Sequence, residues 1–485
     1  MKKSYKLKFL LGSLAALIAP NAAEAQYVTF QQVYQSSVDR SARDILETPD
    51  GGYIIAGMSE TSIPGDTNIY IIKTDNVGDI MWTKEYGGNN PDYPYNIVAT
   101  PDGGYLLLGY TASYGAGDYD TWLVKVNSAG DFQWDKTYGG TGDDQGKALI
   151  ATTDGNYMIT GRTNTPNGNS ATNYDAFLLK VDPSGTEIWT KYYGGGIYES
   201  GRALTQTADD GYALAGITNS FGSGMGDVYV VRTNSTGDTL WTKWYGGPNI
   251  DDGNEILTTP DGGFVISAET KSFGAGDFDV QLFKTDGNGS VVWNELYGGT
   301  EKDISHMLQK TSDGGYILGC ISRSFGWIEP EMWLIKTNNS GGVAWETSYG
   351  SFDHEHLYAA KQTADGGYMV VGHSKSYGPN MKAMFLKLND SGTFAVSVNE
   401  HVAAGELFTI YPNPSEGEVK IHWGQLGDSQ LSVMNALGQT ILTENINGNN
   451  SNGSTVIDLR YETPGIYLFN LRTADQSSTK RIIIR

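Results

Sequence analysis

Apolar residues in this chain fall in short runs of five to nine positions, separated by clusters of Gly, Asn, Asp and Pro. Between residues 95 and 138 four such runs follow one another: Tyr95 to Thr100, Tyr105 to Ser113, Thr121 to Asn127 and Phe132 to Tyr138. The turns between them are Pro101-Asp102-Gly103-Gly104, Tyr114-Gly115-Ala116-Gly117-Asp118 and Ser128-Ala129-Gly130-Asp131. Short runs with Gly/Asn/Asp turns predict a meander of β-strands. Tyr105-Leu106-Leu107-Leu108 is apolar on both faces, as expected of a strand covered on both sides.

The four-run pattern repeats. Asp-Gly-Gly-Tyr, or a near copy, places an aromatic residue at Tyr53, Tyr105, Tyr157, Tyr212, Phe264, Tyr316 and Tyr368, with spacings of 52, 52, 55, 52, 52 and 52. A cation two before Asp or Asn keeps the same register at Lys73, Lys125, Lys180, Arg232, Lys284, Lys336 and Lys387. Gly-x-x-x-Trp is the third marker, with Trp82, Trp134, Trp189, Trp241, Trp293 and Trp345. Periods near 50 residues signal propellers or arrays, and four strands per repeat predict a seven-bladed β-propeller. Phe30 to Tyr34 aligns with Trp82 to Tyr86, so a copy of the fourth strand precedes the first full set. The last repeat's own copy, Phe394 to Asn399, lacks the Trp and the Tyr-Gly-Gly. The N-terminal strand is therefore expected to complete the last blade, leaving a monomeric ring with no open edge. A small residue recurs four after the aromatic: Gly57, Gly109, Gly161, Gly216, Ala268, Cys320 and Gly372. The expected cause is close approach between blades, which makes Cys320 a buried small residue and not a nucleophile.

The ends of the chain differ from this register. Residues 1–25 combine a basic head, an apolar stretch from Phe9 to Pro20 and the small residues Ala23 and Ala25 around Glu24, the signature of a signal peptide. That stretch is too short to span a bilayer, and no later segment reads as a transmembrane span. The repeat register ends near residue 403, so residues 26–403 are assigned to the propeller and 404–485 to a second domain. Short alternating strands there, such as Val419-Lys420-Ile421 and Tyr467-Leu468-Phe469-Asn470, predict a small Ig-like β-sandwich.

Composition narrows the partners. With 63 Gly, 30 Tyr and 11 Trp in 485 residues, the chain is neither a disordered tail nor a helical bundle. Its 33 basic and 55 acidic residues give −22, which repels a phosphate backbone and excludes nucleic acid. One cysteine allows no internal disulfide.

Two resemblances add to this reading. The Gly-x-x-x-Trp element resembles the tryptophan-docking element of pyrroloquinoline-quinone-type propellers; that likeness supports the architecture, and a single cysteine does not supply the adjacent-cysteine disulfide those proteins use. Ile410-Tyr411-Pro412-Asn413-Pro414, Met434-Asn435-Ala436-Leu437-Gly438-Gln439, Pro464-Gly465-Ile466-Tyr467 and the terminal Lys480-Arg481-Ile482-Ile483-Ile484-Arg485 follow in order. Together they resemble the C-terminal sorting domain of Bacteroidetes type IX secretion cargo. The resemblance implies handling by that secretion machinery and delivery through the periplasm to the cell surface or the medium, with the last strand as the element the translocon reads.

Candidate chemistry in the propeller is acidic. An acid lies five or six residues past each Tyr of the Tyr-Gly-Gly position: Asp39, Asp92, Asp144, Glu199, Asp251, Asp303 and Glu355. These loops join one blade to the next, so the acids are expected to ring one face, joined there by Asp118, Asp120, Asp227, Asp277 and Asp279. Either each acid caps its own loop, or the ring binds a cation, a basic peptide or sugar hydroxyls. No Gly-x-Ser-x-Gly elbow, HExxH helix or P-loop is present, so no catalytic residue is assigned. Of the six His, only His354 and His356 cluster, in Asp353-His354-Glu355-His356, a weak metal signal. No cofactor is assigned, and calcium on the acidic face stays open. The function expected is an exported binding module for glycan or protein; the alternative is a polysaccharide hydrolase or lyase built on a carboxylate pair.

Removing Lys480 to Arg485 is expected to leave the propeller folded and the signal peptide cleaved while the chain halts in the periplasm. Cell fractionation reads this, and normal surface display of the truncated chain overturns the sorting assignment.

Overall fold

In the computed structural model the described residues are 28–63, 65–164, 173–324, 330–350 and 354–394, and, between 407 and 484, all but 412–414, 416, 424–426, 436–438, 447–452, 464 and 474–476. The signal peptide, the boundary at 403/404, Asp353, Arg485 and parts of the sorting motifs (Pro412 to Pro414, Ala436 to Gly438, Pro464) lie outside them. The chain divides into two compact units, the first of which spans Tyr27–Ala395.

This unit contains seven four-stranded antiparallel sheets. The second is typical: Asp92–Ala99, Tyr105–Thr111, Asp120–Val126 and Phe132–Tyr138 pair in chain order. Its two middle strands are buried almost throughout, because each sheet is sandwiched between neighbours, while the fourth strand is exposed along one face. First strands contact one another from sheet to sheet and lie innermost. The last sheet is completed by Phe30–Tyr34, which pairs Phe30 with Lys387 and Tyr34 with Ala383. Phe394 is not in a strand, and 395–399 lie outside the described residues. A core cluster sits between the last and first sheets as between every other adjacent pair, so the ring is closed.

The three sequence markers are the bonds of this ring. The turn aspartates Asp50, Asp102, Asp154, Asp209, Asp261, Asp313 and Asp365 pair with the buried or nearly buried cations Lys73, Lys125, Lys180, Arg232, Lys284, Lys336 and Lys387 at 2.5–2.9 Å. Each cation needs that partner, since an unpaired buried charge is strongly destabilising. Each tryptophan packs on the turn glycine of the following sheet. A Cβ on Gly130 would lie 2.5 Å from Trp82, and one on Gly392 would collide with Trp345; both glycines also have positive φ, which favours Gly twice over. Phe30 takes the tryptophan's place against Gly78. Finally, tyrosine hydroxyls donate across each junction to a glycine carbonyl: Tyr34 to Gly78 at 3.0 Å, Tyr193 to Gly237 at 2.6 Å, Tyr245 to Gly289 at 2.7 Å, Tyr138 to Gly185 and Tyr297 to Gly341 at 2.5 Å, and likewise Tyr86 to Gly130 and Tyr349 to Gly392.

The recurring small residue has a different cause from the one expected. A Cβ at Gly57, Gly109, Gly161, Gly216 or Gly372 would first meet a carbonyl oxygen of its own sheet's first strand, at 1.8–2.1 Å; at Gly372 Met332 of the preceding sheet follows at 2.8 Å. Each of these carbonyls lies beside a β-bulge in that strand. Cys320 is fully buried, and burial pushes its thiol well above the usual range, which keeps it protonated and inert.

The C-terminal unit contains a three-stranded sheet (Phe408–Tyr411, Glu418–Trp423, Gly453–Asp458) and a four-stranded one (Ser429–Asn435, Thr440–Ile446, Gly465–Arg472, Ser477–Ile484). They share a core that includes Phe408, Val419, Val433, Phe469, Ile482 and Ile484. Ile482 and Ile484 therefore help build the domain, whereas Arg481 is exposed and Lys480 half-buried. Lys480→Glu with Arg481→Glu alters the terminal motif while leaving the core residues in place, and so tests the sorting expectation apart from folding.

Deleting residues 27–36 should expose the edge of Lys382–Leu388 and strip Phe30 from Phe385, whose rings meet at 4.9 Å. Aggregation and a clear fall in Tm are expected. Tyr34→Phe, which removes one junction hydrogen bond, should cost about 1 kcal/mol. Unchanged Tm and solubility in the deletion would mean that the last sheet closes another way.

Candidate functional site

The predicted acids occupy the start of the first strands, and their lone pairs are taken by the loops. Asp251 accepts from Gly247 N–H at 2.8 Å, from Ser272 Oγ at 2.6 Å and from Thr270 Oγ1. Asp92, Asp144, Glu199 and Asp303 accept in the same way from Gly88, Gly140, Gly195 and Gly299 and from Thr111, Thr163, Thr218 and Ser322. Glu355 accepts from Ser374 at 2.6 Å and Ser376 at 2.5 Å. All six are buried. Burial dominates Asp92 and raises its carboxyl pKa despite these donors. These acids cap their loops, the first of the two alternatives the sequence leaves open.

Asp39 does not belong to the set. The structural equivalent of Asp92 is Arg40, 52 residues earlier, and Asp39 accepts instead from Met381 N–H at 2.8 Å. Asp120, Asp227 and Asp279 open third strands and are buried. Asp120 accepts from Ala116 and Gly117 N–H, Asp227 from Gly224 and Asp279 from Ala275 and Gly276, and burial raises all three carboxyls. Asp175 and Glu331 hold the same position in their sheets, as the repeat spacing could have shown. Asp118 and Asp277 are exposed, and Asp277 pairs with Lys271 at 2.5 Å. Among the described residues no group of three or more His, Cys, Asp or Glu converges as a metal site.

A different position carries variation from sheet to sheet. In every first strand the register to the second strand skips one residue: Arg43, Tyr95, Lys147, Arg202, Asn254, His306 and Tyr358, in sheet order. A bulge re-aims the extra side chain. All seven line one axial cavity of about 510 Å³, within the range of small-ligand sites. Asp44, Asn96, Glu255 and Lys361 line it too. Along the chain these seven residue types share no chemical pattern; only their common spacing marks them.

The cavity's charges are unequally satisfied. Asp44 is fully engaged: its oxygens accept from Lys361 Nζ, from Asn96 Nδ2 at 2.5 Å and from the N–H groups of Ile45 at 2.8 Å and Ile97 at 3.1 Å. Arg202 pairs with buried Asp252, and Arg43 lies over the Tyr358 ring at 3.9 Å. Glu255 is raised to about 8 by burial and then by the Asp44 charge, so its carboxyl is largely protonated at neutral pH. Lys147 is lowered to about 7 by burial and then by the neighbouring Arg202 and Arg162.

His306 also opens a run of imidazoles. Its ring centroid lies 4.7 Å from His356, which is 5.4 Å from His373; His354 is 5.6 Å from His373. Burial lowers His306 and His373 to about 3 and His356 further still.

Residues 409–485 match the family model described as the secretion system C-terminal sorting domain. A curated relative, the regulatory protein FlaEY of Caulobacter vibrioides, is 27% identical over 154 residues, which is 27% of this chain and 16% of that protein. The chain thus spans about one sixth of that relative's length. Among solved structures, the Pan2 WD40 domain of Neurospora crassa is similar at 10% identity and a TM-score of 0.44, covering 73% of this chain and 91% of that one. The β-propeller domain of the Trilobed protease from Pyrococcus furiosus is similar at 8% identity and a TM-score of 0.42, covering 75% and 99%. At these scores the likenesses carry nothing beyond themselves. The fold and the matched tail define the class: a secreted β-propeller carrying a type IX sorting domain, exported to the cell surface or the extracellular space. Among the described residues no helix is long and apolar enough to cross a membrane.

His373 is neutral in the fold and gains a proton near pH 6.5 when unfolded. Between about pH 6.5 and 3 the unfolded state therefore binds more protons, and stability falls as pH falls. At pH 5 this amounts to at most about 2 kcal/mol for His373. His373→Gln should lose less Tm than the parent between pH 7.5 and 5.0; an equal loss would show that His373 is not the group that titrates.

Proposed function

We propose that the propeller is a non-catalytic binding module whose ligand, a glycan segment, seats in the axial cavity. The observation that carries this is the contrast between two repeated positions. The loop acids are nearly uniform and spend their bonds on the fold, whereas the bulge residues differ from sheet to sheet and all face one cavity. A site that reads one ligand needs unlike groups converging, and repetition alone does not supply them. Tyr95 offers an aromatic face with a polar tip, and Asn254 offers an amide whose Nδ2 has no partner among the described residues, the kind of mixture that suits a sugar ring. A cavity of this size takes one or two sugar residues, not the roughly 800 Å² patch per partner of a stable protein interface.

A polysaccharide hydrolase is the second reading, favoured by Glu255, whose protonated carboxyl has the character of a general acid. It needs a second, available carboxylate. Asp44 is the other acid lining the cavity, and four donors occupy its oxygens.

A glycan array probed with the mature chain, followed by Tyr95→Ala and Asn254→Ala, tests the binding reading. Hits are expected, without release of reducing ends, and each variant should weaken them about tenfold or more with Tm little changed. Hits untouched by both variants would move the site off the axis, and release of reducing ends lost in Glu255→Gln would favour the enzyme.

A further inference from the structure

The cavity's wall runs, in sheet order around the axis, Tyr358, Arg43, Tyr95, Lys147, Arg202. Cations and aromatic rings thus follow one another along one side, in a chain whose overall charge is −22. The other cations are provided for: Lys361 by Asp44, Arg202 by Asp252, and Arg43 by the Tyr358 face. Lys147 is the exception. Among the described residues its Nζ has no hydrogen bond or ion pair, although the side chain is half-buried and reaches the cavity. Resting on the binding reading above, we propose that the cavity selects an acidic sugar, a uronate, whose carboxylate is received by Lys147 beside Arg202 while its ring packs on Tyr95.

Charge and packing both favour this occupant. The groups facing Lys147 are Arg162 from its own sheet's second strand, Asp143 beside its own strand, and Arg202 and Asp252 from the two following sheets. Asp143 is already bound to Arg162 at 2.9 Å, and Asp252 to Arg202. The two acids are thus spent on the two arginines, and the lysine is left without a counter-charge in a desolvated place. A carboxylate supplies that counter-charge, and a charge-assisted hydrogen bond there is stronger than one at the surface. A neutral sugar leaves Lys147 without one. Because burial and the neighbouring cations hold free Lys147 near 7, seating an anion must raise its affinity for a proton. Binding at pH 8 therefore draws a proton from the buffer.

The test is calorimetry on the mature chain with three probes of one shape: digalacturonate, its dimethyl ester and its carboxyl-reduced counterpart. Digalacturonate should bind at least tenfold more tightly than the other two, weaken with added salt and, at pH 8, take up close to one proton, read from buffers of different ionisation enthalpy. Lys147→Met should remove that preference and the proton uptake; Lys147→Arg should restore the preference without the uptake. Equal affinity for acid and ester, or uptake unchanged in Lys147→Met, overturns the uronate assignment. If the neutral probes still bind and Tyr95→Ala abolishes that binding, the cavity reading survives without the charge selection. If no probe binds and array hits are indifferent to the cavity variants, both fall.

Discussion

Seven tyrosine hydroxyls, each donating to a glycine carbonyl in the next sheet, set the distance at which the sheets of this propeller meet. The tryptophan or Phe30 ring beside each bond fills the space over that glycine, so the junction is polar at one point and tightly packed around it. Everything else depends on this spacing. The middle strands are buried on both faces only because the neighbours come this close, and the ring closes only because Phe30 and Tyr34 reproduce the same pair of contacts where the last sheet meets the first. The turn aspartate and its buried cation serve a different purpose, holding each sheet's own hairpins together from inside.

A closed ring brings seven first strands around one axis, and the bulge in each turns a side chain toward it. The bulge also explains the glycine four residues past the aromatic, whose missing side chain makes room for the bulge's carbonyl. Structure and potential site are thus linked by one local irregularity: the position opposite the bulge keeps a small residue, Gly in five sheets and Ala268 or Cys320 in the other two, while the residue the bulge presents is free to vary. The same division separates the loop acids, which repeat because every loop needs a cap, from the cavity's cations and rings, which do not repeat because no fold requirement fixes them.

The C-terminal unit shows the limit of reading a signal as a string. Lys480 to Arg485 looks like a single recognition element, yet in the sandwich its residues divide by strand alternation: Ile482 and Ile484 enter the core and Arg481 stays outside. Core residues and the charged part of the terminal motif share one strand there.

Much of this protein was written locally. Sheet number, strand order, ring closure by the N-terminal strand and the sorting tail all rest on residues whose roles recur at fixed spacing or on a contiguous motif, and recurrence makes such roles visible in one sequence. The ion pairs of Lys73 and its counterparts, and the docking of Trp82 on Gly130, are further consequences of that register. The cavity was not legible, because Arg43, Tyr95, Lys147, Arg202, Asn254, His306 and Tyr358 share neither chemistry nor neighbours along the chain. Nor was the fate of the acids, since a carboxylate's lone pairs are assigned only when the loop around it folds. Burial, likewise, set the protonation of Lys147, Glu255 and His373, and burial is a property of the closed ring, not of any segment. The sequence determined which sheets form and in what order; the tertiary structure decided which unlike side chains would share one desolvated space, because only ring closure brings residues some 300 positions apart into the same cavity.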